Sequence, residues 1–261
     1  MRIVVLTKHV PQAIGEVTYA DDLTVDRSAV RCRLEDSDEY AVEQAARVAA
    51  RRLDVQVTAL TMGPAGATAA LRAALARGAD EGVHILDDAL HGSDAPATSL
   101  VLAAACRRLG FDLIVCGTAS ADSGMAVIPA MLAERLAIPA LCCCDWLRTD
   151  EDTLYAGRDA GTTTEDLTTT LPAVVSVTDR SGEPRYPRFE AIAEARQKLI
   201  RTWSLADLGI ETTRVGLGAA ATAVRRVTRF ENDREHPDPV SEDPHTAATR
   251  IADFLTRRQF L

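Results

Sequence analysis

The residues of this chain that could do chemistry gather in three short segments, each directly after an apolar run. They are Thr7-Lys8-His9-Val10-Pro11, Thr61-Met62-Gly63-Pro64 and Gly117-Thr118-Ala119-Ser120-Ala121-Asp122-Ser123-Gly124. Such segments suit phosphate or nucleotide binding. Small residues let backbone N–H groups approach a ligand, and a following helix turns its positive end toward an anion. The third segment is the most informative, because hydroxyls, a carboxylate and two glycines precede a helix expected over residues 125–136. Its competing reading is an ordinary strand-to-helix turn, and Lys8 and His9 compete with solvated loop residues. Neither G-x-G-x-x-G nor G-x-x-x-x-G-K-[ST] occurs, so the dinucleotide fingerprint and the P-loop are both missing. No nucleophile, base and acid can be assembled from spacing. The six cysteines form no C-x-x-C, and Cys142, Cys143 and Cys144 are adjacent within an apolar run. They read as buried thiols rather than metal ligands.

The elements that must position these segments follow from periodicity. Residues 2–7 form a continuous apolar run of the kind a doubly covered parallel strand shows. Asp36 and Glu39 stand at capping-box spacing, and Val42, Ala45, Ala46, Ala49 and Leu53 recur at helical intervals, with Glu43 and Arg47 paired on the wet side. A strand at 55–62, a helix at 67–77 closed by Gly78, and a strand at 83–86 come next. Then Ser93 or Asp94 caps a helix to Arg108, and a buried strand spans 111–116. Strands alternating with helices imply right-handed crossovers and a mostly parallel sheet covered by helices on both faces. Three further runs, at 140–147, 153–158 and 165–177, suggest antiparallel additions. The expected fold is thus a three-layer α/β, Rossmann-like core with added antiparallel strands and a C-terminal arm. Its core covers residues 1–210, an extended linker 211–245, and a terminal helix 246–261 packs on a partner or the core.

With 29 Lys and Arg against 38 Asp and Glu the net charge is −9, which disfavours nucleic acid. The apolar run at the N-terminus is too short for a signal peptide or a membrane span, so no membrane insertion and a cytoplasmic location are expected.

Taken in order, the landmarks resemble the electron transfer flavoprotein β family. They include Lys8-x-Val10-Pro11, Asp38-Glu39-Tyr40-Ala41-Val42-Glu43, and the stretch from Val57 to Pro64 followed by Leu71-Arg72-x-Ala74-Leu75-Ala76-x-Gly78-Ala79-Asp80. Asp112-Leu113-Ile114, Ser120-x-Asp122, Leu132-Ala133-Glu134-x-Leu136-x-Ile138-Pro139, Leu171-Pro172-Ala173-Val174-Val175-Ser176-Val177 and Glu183-Pro184-Arg185-Tyr186 complete the series. The resemblance implies an electron carrier without bond-making catalysis of its own. It implies a heterodimer with an α subunit that supplies most ligands of the FAD, and AMP or a second FAD in this chain. Donors would be acyl-CoA and related dehydrogenases of fatty acid β-oxidation, with a quinone oxidoreductase as acceptor.

Carried over by position, the adenine nucleotide would lie against Leu6, Lys8, Glu35, Asp36, Ser37, Asp38, Met62, Gly63, Gly117, Ala119, Ser120, Asp122, Gly124, Met125, Ala126, Val127 and Ile128. Arg185, Tyr186 and Phe189 would dock on the dehydrogenase, with Phe189 alternatively stapling its own helix to the core. Three departures from the family pattern stand out. Met125-Ala126-Val127-Ile128-Pro129 replaces a polar helix entry, Glu35-Asp36-Ser37 replaces Asn-Pro-Phe, and D-G-G-x-E is stretched over residues 159–165. A stand-alone adenine-nucleotide sensor of the universal-stress-protein type, which shares the layered fold, is the alternative from another class.

Overall fold

A computed structural model describes residues 1–12, 17–228 and 243–260. The chain divides into one unit of Met1–Arg225 and a second of Arg226–Leu261. The first is built on β1 (Arg2–Leu6), whose side chains alternate between two apolar layers, Ile3 and Val5 on one face and Val4 and Leu6 on the other. After a small hairpin of β2 (His9–Pro11) and β3 (Cys32–Leu34), α1 (Asp36–Ala50) crosses to β4 (Gln56–Met62), which pairs in parallel with β1. Helix α2 (Thr68–Arg77) ends at Gly78, whose φ of 128° suits a glycine, and leads to β5 (Glu81–Ile85). Helix α3 (Ala95–Leu109), capped by Asp94, then returns the chain to β6 (Leu113–Gly117) on the other side of β1. Helix α4 (Ile128–Leu136) and β7 (Ala140–Cys144) continue outward.

β8 (Trp146–Asp150), β9 (Thr153–Asp159) and β10 (Thr164–Thr170) form a separate antiparallel sheet. β11 (Ala173–Val177) then re-enters the main sheet, and α5 (Phe189–Ala195) and β12 (Ile200–Trp203) complete it. The seven-stranded order is β12-β5-β4-β1-β6-β11-β7, parallel throughout. α1 and α2 pack on one face with Leu147, Leu154 and Ala156 of the small sheet, while α3 and α4 cover the other.

The second unit contains α6 (Pro244–Arg257), with Pro244 in its first turn and the Asp243 side chain accepting from the His245 and Thr246 amides. Its Ile251 and Phe254 are 58% and 54% exposed. Residues 229–242 of the linker expected at 211–245 lie outside the described residues.

Several local expectations change. The run 140–147 divides at Asp145, which accepts hydrogen bonds from the Thr178 hydroxyl and the Asp159 amide. The run 165–177 divides at Leu171-Pro172. The outer part of each therefore joins the parallel sheet, and only the middle strands form the antiparallel one. α1 is capped by Glu35, not Asp36, and Leu53 lies beyond its end at 92% exposure. Glu43 is buried, because a second arginine from 142 residues away joins Arg47 on its carboxylate. The strand β12 is not among the strands expected above.

Candidate functional site at the switch point

From β1 the chain first steps to β4 and β5, then returns past β1 to β6. The carboxyl ends of β1 and β6 therefore form the topological switch point where open α/β sheets receive ligands. The amino end of α1 ties these two strand ends together. Glu35 and Asp38 are both buried there. The Asp38 carboxylate accepts the Lys8 amide at 2.8 Å and also faces the Gly117 amide. Glu35 accepts the Ala121 amide at 2.5 Å with one oxygen and the Ser37 amide at 3.4 Å with the other. The Ser37 hydroxyl donates to the Ala119 carbonyl at 2.5 Å. One turn of helix thus holds both the loop after β1 and the loop after β6. Gly117 is required at their junction, since a Cβ would lie 2.6 Å from the Asp38 Oδ1 and 2.7 Å from the Ser37 carbonyl carbon.

The loop after β6 is held a second time from the β1 side. Lys8 Nζ donates to Asp122 Oδ1 at 2.6 Å and to Ser120 Oγ at 2.9 Å, and Arg27 also pairs with Asp122. Burial of Asp122 opposes its ionisation, yet Lys8 and Arg27 hold its carboxyl below the usual range. Burial pushes Asp38 the other way, to about 8. His9 is shifted down by burial and by the Arg27 charge, and its Nδ1 is buried without a hydrogen-bond partner among the described residues. Beyond Asp122 the loop turns outward through Gly124 and Ala126, both left-handed, and leaves Met125 56% exposed. Helix α4 starts at Ile128, three residues later than expected, with no side chain capping it. A helix start in this state presents unsatisfied N–H groups, of which Pro129 removes one.

Of the expected nucleotide contacts, Leu6, Lys8, Glu35, Ser37, Asp38, Gly117, Ala119, Ser120 and Asp122 meet at this junction, and Gly124, Met125, Ala126, Val127 and Ile128 continue from it. Met62 and Gly63 end the neighbouring β4, where the buried His84 ring bonds the Gly63 carbonyl and the Thr68 hydroxyl. Asp36 turns away and pairs with Arg33. Arg27 has no counterpart among the expected contacts; a lone arginine far from any strand end carries no signal of its pairing with Asp122. The segment expected to dock lies elsewhere, with Tyr186 89% and Phe189 82% exposed, so Phe189 does not staple its helix to the core. Among the described residues no helix is long and apolar enough to cross a membrane, and no cluster of three or more His, Cys, Asp or Glu could hold a metal.

Fold and site together define a doubly wound α/β protein with a polar loop site at its switch point. Residues 22–208 match the family described as "Electron transfer flavoprotein domain". The chain is 38% identical over 228 residues to the electron transfer flavoprotein subunit beta of Mycobacterium bovis and of Mycobacterium tuberculosis, covering 85% of this chain and 86% of each relative. The protein of the same name from Mycobacterium leprae is similar to the same extent. The chain belongs to the electron transfer flavoprotein β-subunit family, and its role is that of an electron transfer flavoprotein.

Proposed function

We propose that this chain works as the β half of a heterodimer with an α subunit that supplies most ligands of an FAD. It receives electrons from acyl-CoA and related dehydrogenases and passes them on to a quinone oxidoreductase, acting in the cytoplasm as a carrier without bond-making chemistry. The observation that carries this reading is the family match over most of the chain, joined to a switch-point loop that stays open to the outside at Met125. A stand-alone sensor would enclose its own nucleotide. An open loop fits a subunit that completes its ligand shell with a partner.

The loop also fits an adenine nucleotide, AMP or a second FAD. Small residues at 119–126, the uncapped start of α4 and the orphaned His9 Nδ1 offer polar groups at the switch point, and Lys8 brings a cation. Lys8, Ser120 and the α4 amides would hold the phosphate, and Leu6 and Met62 would flank the base. Helix α6, whose apolar face is exposed, would cover the α subunit. Phe189 and Tyr186 would enter the dehydrogenase surface.

The test is to purify the chain alone and with an α-like subunit, then record visible spectra and denatured extracts. Weak FAD binding by the single chain, a yellow heterodimer, and AMP or a second FAD in the extract are expected. Tightly held stoichiometric FAD on the single chain would overturn the division of labour. An extract with one FAD and no other adenine nucleotide would remove the switch-point ligand.

A further inference from the structure

We propose that Glu43, buried inside α1, is a positioning residue that clamps residues 181–185 and so aims Tyr186 and Phe189 at the partner protein. The inference rests on the docking role given to Phe189 above and names what holds that surface in place.

Residues 182–187 belong to no helix or strand, and among the described residues no hydrogen bond from one main-chain group to another reaches them. Side chains of α1 hold the segment instead. The Glu43 carboxylate accepts from Arg185 Nε at 2.7 Å, Arg185 Nη2 at 3.0 Å, the Arg185 backbone amide at 3.2 Å and Arg47 Nε at 2.7 Å. Gln44 Nε2 donates to the Ser181 carbonyl at 2.6 Å, and Arg47 Nη2 to the Glu183 carbonyl at 3.1 Å. The frame behind them is rigid, because Val42, Ala45 and Ala46 of the same helix sit in the core. Directly past the clamp the chain exposes Tyr186 and Phe189 almost fully.

A two-pronged arginine–carboxylate contact fixes direction as well as distance. The Glu43 side chain is 5% exposed and that of Arg185 51%, so the carboxylate belongs to the rigid body and the arginine to the segment being aimed. Holding a docking loop in its bound form lowers the ordering cost of association, and this affects partner affinity rather than the chemistry after docking.

The experiment uses the flavin-loaded heterodimer with Glu43→Gln, which keeps the volume of the side chain but turns an amide donor toward the arginine fork. Phe189→Ala serves as reference. Amide exchange over 181–189, KM and kcat for flavin reduction by an acyl-CoA dehydrogenase, melting and flavin content are measured. Faster exchange confined to that segment is expected, with KM for the flavoprotein raised roughly tenfold and kcat and flavin content close to wild type. Wild-type exchange and KM in Glu43→Gln would overturn the clamp, as would a change seen only in melting and flavin content. Raised KM in Phe189→Ala beside wild-type KM in Glu43→Gln would overturn the clamp alone. Wild-type KM in Phe189→Ala would overturn the docking reading and the clamp with it. Should Glu43→Gln not fold, Glu43→Asp, which keeps the charge but draws the carboxylate back from the arginine fork, carries the same test with the same outcomes.

Discussion

Asp38 carries the clearest pH signature of any single residue at the switch point. Burial raises its pKa to about 8, against roughly 3.9 in an unfolded chain. Between those values the folded protein binds the proton and the unfolded chain does not, so stability falls as pH rises. The contribution is fully present below the unfolded pKa and lost as pH passes about 8. Asp38→Asn keeps an acceptor for the Lys8 amide and removes the titration. Urea denaturation from pH 4 to 8, on the scale set by those values, should show wild type losing stability relative to the variant; parallel curves would refute the assignment. At the proposed docking surface Phe189→Ala should leave melting unchanged, since the ring is 82% exposed. Truncating a buried phenylalanine would instead cost about 3–5 kcal/mol. In a heterodimer the same change should slow electron transfer from an acyl-CoA dehydrogenase, and normal kinetics would dismiss the anchor.

At the scale of elements, α1 organises both proposed functional regions. Its first turn latches the loops after β1 and β6 through Glu35, Ser37 and Asp38, and its middle holds residues 181–185 through Glu43, Gln44 and Arg47. The latch requires α1 to approach the end of β6 closely, which Gly117 permits by having no side chain. Gly117→Ala should therefore push α1 outward and destabilise the chain by about 1–3 kcal/mol. Chemical denaturation measures the loss, and amide exchange should rise first in the 119–126 loop. A neutral substitution would mean that the contact between α1 and β6 yields easily.

For the whole molecule, both apolar layers close within the Met1–Arg225 unit, whose outermost core residue is Val215. A fragment ending at Arg225 should fold in one cooperative transition on its own. It should also lose affinity for the α subunit if α6 covers that partner, as proposed. Circular dichroism melting and co-purification with the α-like subunit separate the two statements. A fragment that melts without a transition would place essential core packing in the second unit, and one that retains the partner fully would remove the arm's role.

Much of the main sheet was legible from residue order alone. Apolar runs of strand length alternating with helical periodicity, Asp94 before α3 and Gly78 after α2 are local signals, and hydrophobic period and end capping act over a few residues. The three loops after β1, β4 and β6 followed from that alternation, whereas the individual nucleotide contacts were carried over by position from the family resemblance. Tertiary structure decided what local pattern cannot encode. The runs at 140–147 and 165–177 had the right texture for strands, but which halves paired in parallel depended on sheet order and on Asp145 bridging Thr178 and Asp159. Glu43 looked like a solvated member of a helical pair, and Asp122 like a loop carboxylate. The side chain of each is enclosed because an arginine distant in sequence, Arg185 for one and Arg27 for the other, reaches it only after the sheet has closed. Charge pairing depends on distance in space, whereas hydropathy periodicity reports only which face of an element is apolar.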